Sequence, residues 1–297
     1  MTTKPLAGKV AVVAGASRGC GRGVALALGD AGATVYVTGR TTRGGPAPVD
    51  GATGTIDDTA DEVTRRGGTG LPIPTDHTDQ ASVAALVNRV QRDHGRLDLL
   101  VSAVWGGNER FLDPIWQRPF WEQPATSWRE FMEAGPLAFW LTAREAGRLM
   151  AERRSGLMVA ISEPVIPHAF DDQMPAMVET FSSLAHASMN GLVRALAGSA
   201  KAHGIGVVGL LPGFMKTERV EMHLTSLGEE ARRQFRYDLA ETPEYAGRAV
   251  AALAADPRAS SRTGELLHVS DLAGTYGFTD VDGTRVGNFY RTLGLIP

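Results

Sequence analysis

The sequence predicts an α/β fold, a doubly wound parallel sheet flanked by helices, in a single domain over residues 1–297. Three observations predict it. Short β-branched apolar runs alternate with segments of helical period. A glycine turn, Gly15-Ala-Ser-Arg-Gly-Cys-Gly21, joins the first apolar run to the first helical segment. No internal repeat or linker interrupts the alternation, and strand–helix–strand units of this kind close with right-handed crossovers.

The elements follow in order. Lys9 to Ala14 reads as a buried parallel strand, because the run is short, apolar and β-branched. Arg22 to Asp30 reads as a helix closed by Ala31-Gly32. Thr34 to Thr38 is a second strand, residues 57–66 a polar-faced helix, and Gly70 to Pro74 a third strand. Ser82 to His94 carries Val83, Leu86, Val87 and Val90 at i, i+3, i+4 and i+7, the stripe of a packed helix. Leu97 to Ala103 is the fourth strand, and further strands fall near 157–162, 206–211 and 265–269. Residues 41–56 and 104–127 break the rhythm and read as loops. All five tryptophans lie between 105 and 140, so the second loop brings an aromatic wall suited to a pocket or a subunit interface. The chain thus divides into a cofactor half (about 1–103), an aromatic loop (about 104–127) and a substrate half (about 128–297).

Composition excludes several classes. At 43% hydrophobic and 21% charged, 297 residues bury a sizeable core. A net charge of -3 argues against a nucleic-acid footprint. One cysteine rules out an internal disulfide framework and an all-cysteine zinc site. No H-x3-H or H-E-x-x-H spacing occurs, so no metal is expected. No apolar run reaches a membrane span, and the first ten residues lack a signal-peptide core, so a cytoplasmic protein is expected.

The glycine turn predicts a Rossmann-type dinucleotide site. Gly15, Gly19 and Gly21 stand after a strand and at a helix start, where backbone N–H groups and the helix dipole favour a pyrophosphate. A NAD-preferring site would carry an acidic residue at the end of the second strand. This chain has Gly39-Arg40 there, and Arg18 inside the turn. Two guanidinium groups at that corner favour a 2′-phosphate, so NADP(H) is the expected cofactor. Asp76 is placed to accept from the adenine amino group, and Cys20 reads as packing.

With these motifs the chain resembles the classical short-chain dehydrogenases/reductases. Thr75-Asp76, Leu97-Asp-Leu-Leu-Val101, Leu211-Pro-Gly-Phe214 and Thr217 extend the likeness over nearly the whole length. Asp271-Leu-Ala, Tyr276-Gly-Phe-Thr-Asp-Val-Asp-Gly283, Trp121-Glu-Gln-Pro124 and Trp128 are similar to the subgroup containing the animal dehydrogenase/reductase member 1 type. The resemblance implies cofactor contacts at Ser17, His77, Ala103, Pro212, Gly213 and Thr217, a small-molecule substrate, and a homodimer or homotetramer. It also implies a Tyr-x-x-x-Lys pair with a serine and an asparagine.

Here the chain departs from the family it resembles. The lysines are Lys4, Lys9, Lys201 and Lys216, and no tyrosine lies between 37 and 236. No alignment can therefore supply the pair. Met189-Asn-Gly-Leu192 sets the tyrosine position at Ser182 and the lysine position at His186. Leu157 to Glu163 puts Glu163 at the serine position, with Ser162 just before it. The asparagine position is Gly135, and the usual Asn-Asn-Ala-Gly reads Ser102-Ala-Val-Trp105.

Ser182 and His186 share a helix face, and Glu163 should face them. The three are the candidate catalytic set, with His186 as acid/base, Ser182 as donor or relay, and Glu163 as orienting group or base. Trp105, Trp116, Trp121, His168 and Phe214 are the expected substrate pocket, with Asp171 and Asp172 nearby. Two readings stand. One is an NADP(H)-dependent oxidoreductase for a small or polycyclic carbonyl, alcohol or imine. The other is a non-redox enzyme (cyclase, dehydratase or isomerase) or a cofactor-binding pseudoenzyme on the same scaffold.

Overall fold

A computed structural model describes residues 4–48, 51–107, 119–166 and 180–297. The sheet has seven parallel strands: β1 (Val10–Ala14), β2 (Thr34–Gly39), β3 (Thr69–Pro74), β4 (Leu99–Ser102), β5 (Gly156–Ile161), β6 (Ile205–Leu211) and β7 (Leu266–His268). Their order is β3-β2-β1-β4-β5-β6-β7. The winding reverses between β1 and β4, so a crevice opens beyond the carboxyl ends of those two strands.

Both faces of the sheet are covered, as a parallel sheet requires. Along β1 the period of two sends Ala11 and Val13 to one core, and Val10 and Val12 to the other. The first core packs under α1 (Gly19–Asp30), α2 (Ile56–Arg65) and α9 (Pro243–Ala255). The second packs under α3 (Gln80–His94), α5 (Ala138–Arg153) and α6 (Thr180–Ala202). In the predicted stripe of α3, Val83, Leu86, Val87 and Val90 are all buried. Shorter helices complete the chain: α4 (Thr126–Met132), α7 (Glu218–Leu227), α8 (Glu229–Gln234), α10 (Val269–Tyr276) and α11 (Phe289–Thr292).

Three boundaries differ from the sequence reading. The first helix starts at Gly19, three residues early, because the glycine turn itself winds into the helix. The fourth strand is shorter than expected. Asp98, just before it, still donates to the Val10 carbonyl at 2.9 Å and accepts from the Leu157 N–H at 3.0 Å, but its carboxylate takes the Val10 N–H at 2.9 Å and pairs with Arg96. Within the loop expected at 104–127, a 3-10 turn forms at Phe120–Glu122, and α4 begins at Thr126. Between α4 and α5 the helix widens into a π-type turn over Glu133–Leu137, where Pro136 removes a backbone donor.

Candidate active site

The crevice is built first by the turn after β1. Gly15 has φ +79°, and a Cβ there would lie 2.7 Å from the Ala103 carbonyl. Only glycine lets the end of β1 close against the end of β4. The Ala103 N–H donates to the Ala14 carbonyl at 2.9 Å and completes the join. A Cβ on Gly21 would meet the Gly15 carbonyl at 2.2 Å, so that glycine too serves the turn. Ser17 is buried beneath it.

Helix α1 starts without a side-chain cap and without an acid in its first turn. By contrast α2, α3, α7, α9 and α11 are capped by Thr55, Asp79, Thr217, Thr242 and Asn288. Its N–H donors are therefore left for an anion. One of them is taken from far along the chain: the Gly19 N–H donates to Glu218 Oε2 at 2.7 Å. A carboxylate seated on this helix end shows that the turn accepts negative charge. The turn thus fits the pyrophosphate of a dinucleotide.

The neighbouring corner is basic. Arg18 donates from Nε to the Thr53 carbonyl at 2.9 Å, and from Nη2 to the Gly54 carbonyl at 3.0 Å and Thr41 Oγ1 at 3.2 Å. It pins the loop after β2 over the turn. Arg40 is exposed at the end of β2. Partial burial pushes the Asp76 carboxyl up, but hydrogen bonds from Thr78 and the Arg40 charge outweigh it and hold the carboxyl below its ordinary range. His77, expected at the cofactor, turns inward instead. Its ring nitrogens lie 2.8 Å from Thr38 Oγ1 and 3.0 Å from Thr142 Oγ1, and burial lowers it to about 4. It ties β2 to α5, and its side chain has no free hydrogen-bonding edge for a ligand. Cys20 packs against the core, where burial pushes its thiol up to about 12.

The second half of the crevice holds the substituted positions. His186, on α6, is 12% exposed at its side chain. Its Nδ1 lies 3.3 Å from Ser162 Oγ, and its Nε2 lies 3.7 Å from Glu163 Oε2. Trp105 stacks on its face, with centroids 4.2 Å apart and planes at 17°. Burial lowers the His186 pKa and Glu163 opposes the shift, so the ring is neutral at pH 7. Glu163 is 55% exposed, so its attraction is screened by solvent. Asn190 fixes the local chain by donating from Nδ2 to the Glu163 carbonyl at 2.9 Å.

The predicted trio is thus brought together in part. Glu163 and His186 meet. Ser182, half-buried one turn before His186, makes no hydrogen bond to it among the described residues. The hydroxyl that reaches the ring belongs to Ser162. Strand parity carries that signal: Met158 and Ala160 face the α6 side, and Ser162 continues their register. Trp105 was expected as a pocket wall, not as the lid of the imidazole.

The remaining pocket residues are not brought together among the described residues. Trp116, His168, Asp171 and Asp172 lie outside the described residues. Trp121 is 71% exposed. Phe214 stacks at 6.3 Å on Phe235 and lies 5.8 Å from Phe289, in a separate aromatic group. Beneath the Pro212-Gly213 turn sits Glu241, missed by the sequence reading. Its backbone N–H donates to the Phe214 carbonyl, and its carbonyl accepts from the Lys216 N–H, both at 2.8 Å. Burial pushes its carboxyl up to about 8, with a contribution from Asp280, against a hydrogen bond from the Gly213 N–H. Thr217 caps α7, and its Cγ2 would lie 3.6 Å from a Cβ on Gly19.

Known proteins resemble this chain in sequence and in fold. A family model described as enoyl-(acyl carrier protein) reductase matches residues 15–271. Dehydrogenase/reductase SDR family member 1 of Homo sapiens is 34% identical over 291 residues, which cover 96% of this chain and 87% of that one. A short-chain dehydrogenase of Mycobacterium thermoresistibile has the same fold, with a TM-score of 0.75 at 23% identity over 95% of this chain and 93% of that one. A candidate NAD(P)-dependent gluconate 5-dehydrogenase of Beutenbergia cavernae, solved with NADP at low occupancy, is 27% identical, with a TM-score of 0.69 over 90% of this chain and 97% of that one. Strand order, glycine turn and crevice define the class, a Rossmann-type nucleotide-binding scaffold. The chain belongs to the short-chain dehydrogenase/reductase family, in the subgroup similar to dehydrogenase/reductase member 1.

Proposed function

We propose that the protein is an NADP(H)-dependent oxidoreductase whose proton-transfer group is His186. The substrate class is a small or polycyclic carbonyl, its alcohol, or an imine. The observation that carries the reading is the contact set of His186: Ser162 at 3.3 Å and Glu163 at 3.7 Å, beside a crevice that fits a dinucleotide.

Gly15, Ser17, Gly19 and Gly21 would hold the pyrophosphate, Arg18 and Arg40 the 2′-phosphate, and Asp76 the adenine amino group. Ala103, Pro212, Gly213 and Thr217 would border the nicotinamide ribose. The cofactor supplies the hydride, as in the family at large. The chain supplies the proton. A neutral imidazole accepts a proton from an alcohol, and Glu163 stabilises the imidazolium that results. In the reducing direction the same ring must be protonated first, so reduction gains at lower pH. Ser162 occupies Nδ1, which leaves Nε2, on the Glu163 side, to exchange the proton. Ser182 is left to bond the substrate oxygen directly. The expected homodimer or homotetramer belongs with this reading, since Trp128, Leu137, Trp140 and Leu184 stand exposed on or between α4, α5 and α6.

A non-redox elimination or isomerisation is the second reading. It is favoured because Glu163 and His186 form an acid/base pair that needs no hydride. The test is NADPH binding by calorimetry, followed by loss of nicotinamide absorbance against a panel of carbonyls and imines. Binding with turnover that His186→Ala abolishes and Glu163→Gln lowers about tenfold or more is expected. Binding without turnover moves the balance to the second reading, and absence of binding overturns the first.

A further inference from the structure

His186 is gripped by two kinds of contact. Its edge carries the two polar ones, to Ser162 and Glu163. Its face carries the indole of Trp105 at 4.2 Å. An imidazole turns broadly about its second side-chain torsion, so two loose edge contacts do not fix the ring plane. A parallel aromatic face does.

Trp105 is itself held. Phe131 meets it edge-on at 5.6 Å, in a small apolar cluster with Ala185. Its six-membered ring lies over Gly135, where a Cβ would stand 3.4 Å from Cζ3 and 3.5 Å from Cε3. Alanine just touches the indole there, and any longer side chain displaces it. Gly135 lies in the π-type turn before α5. The turn, the indole and the imidazole are therefore stacked in sequence. Residues 105, 135 and 186 also stand where the motif matching expects other residues of the family pattern.

We propose that Trp105 is the positioning residue of this site, with Gly135 as the space that admits it: the indole face sets the imidazole plane so that Nδ1 meets Ser162 and Nε2 meets Glu163. Glu163 is the charged group that faces the ring, and Ser162, Trp105 and Phe131 bring no charge. The effect on turnover rests on the oxidoreductase reading above. The packing itself does not.

The experiment is a pH titration of the histidine ring resonances of the full chain, with His186 assigned by its loss in His186→Asn. Ring current from the indole should displace the His186 signals upfield. Trp105→Ala should abolish the displacement and move the titration towards the ordinary histidine value, because water reaches the ring. Trp105→Phe should preserve most of both. Gly135→Leu should reproduce the Trp105→Ala spectrum with the indole still in the chain, whereas Gly135→Ala should keep the displacement. In turnover, Trp105→Ala should lower kcat about a hundredfold at nearly constant KM, with recovery in Trp105→Phe. Unchanged His186 resonances in both Trp105→Ala and Gly135→Leu overturn the proposal. A displaced resonance in the wild type, lost in those two variants, supports it even where His186→Ala leaves activity intact, an outcome that defeats only the oxidoreductase reading.

Discussion

Glu241 and His77 are both buried and titratable, and they act on stability with opposite sign. The Glu241 carboxyl lies under the Pro212-Gly213 turn with Oε1 unpartnered among the described residues. Its folded value of about 8 is above the ordinary carboxylate, so the native state holds the proton. Its contribution is complete below the unfolded value of 4.5 and is lost as pH rises through 8. Glu241→Gln imitates the protonated acid at every pH. We expect its melting temperature to exceed that of the wild type by about 3 °C or more above pH 8, with the difference closing near pH 5. Thermal melts across that range check it, and a variant that is less stable at high pH defeats it. His77 is depressed to about 4, so its contribution is present above 6.5 and is lost as pH falls from 6.5 through 4.

Helix α7 is the element that bears on cofactor entry. Its first residue, Glu218, is bonded to the start of α1 across 199 residues of sequence. A pyrophosphate placed on the same helix end must displace that carboxylate, because both need the Gly19 donor. The bond is charge-assisted, of about 1.5–3 kcal/mol in general. Glu218→Ala should therefore tighten NADPH and ADP-ribose about tenfold. Calorimetric titration of the two ligands decides it, and equal or weaker binding shows that the carboxylate does not compete. The cap of α7 is separate: Thr217 Oγ1 accepts from the Val220 N–H at 3.2 Å. The helix should survive the change.

At the scale of the molecule, two cores clamp one sheet. Leu100 lies at the centre of the sheet and is fully buried. Leu100→Ala should cost about 2–5 kcal/mol, read from denaturant midpoints as a single shifted transition. Two separate transitions would show that the cores unfold independently. The strands and their parallel sense were legible because the central ones, β1, β4 and β6, are apolar on both faces. The start of α1 was not, because glycine is a weak helix former and hides a helix that tertiary contact completes. In the site, Glu163 and His186 were legible from their places after β5 and on α6. Trp105 on His186, and Glu218 on Gly19, are contacts between distant segments that only the closed fold creates. Ser162 lay in between: strand parity announced its direction, but not its partner.

The stack of Trp105 on His186 has an optical consequence. A protonated imidazole quenches an adjoining indole, whereas a neutral one leaves its emission largely intact. Trp121, Trp128 and Trp140 are 71%, 52% and 42% exposed, so a dissolved iodide ion reaches them. Trp105 is half-buried, with its face covered by the imidazole. In iodide, residual emission should dim as pH falls through the His186 titration, and Trp105→Phe should remove that step. The protein then signals the arrival of a single proton at its own crevice as a change in light.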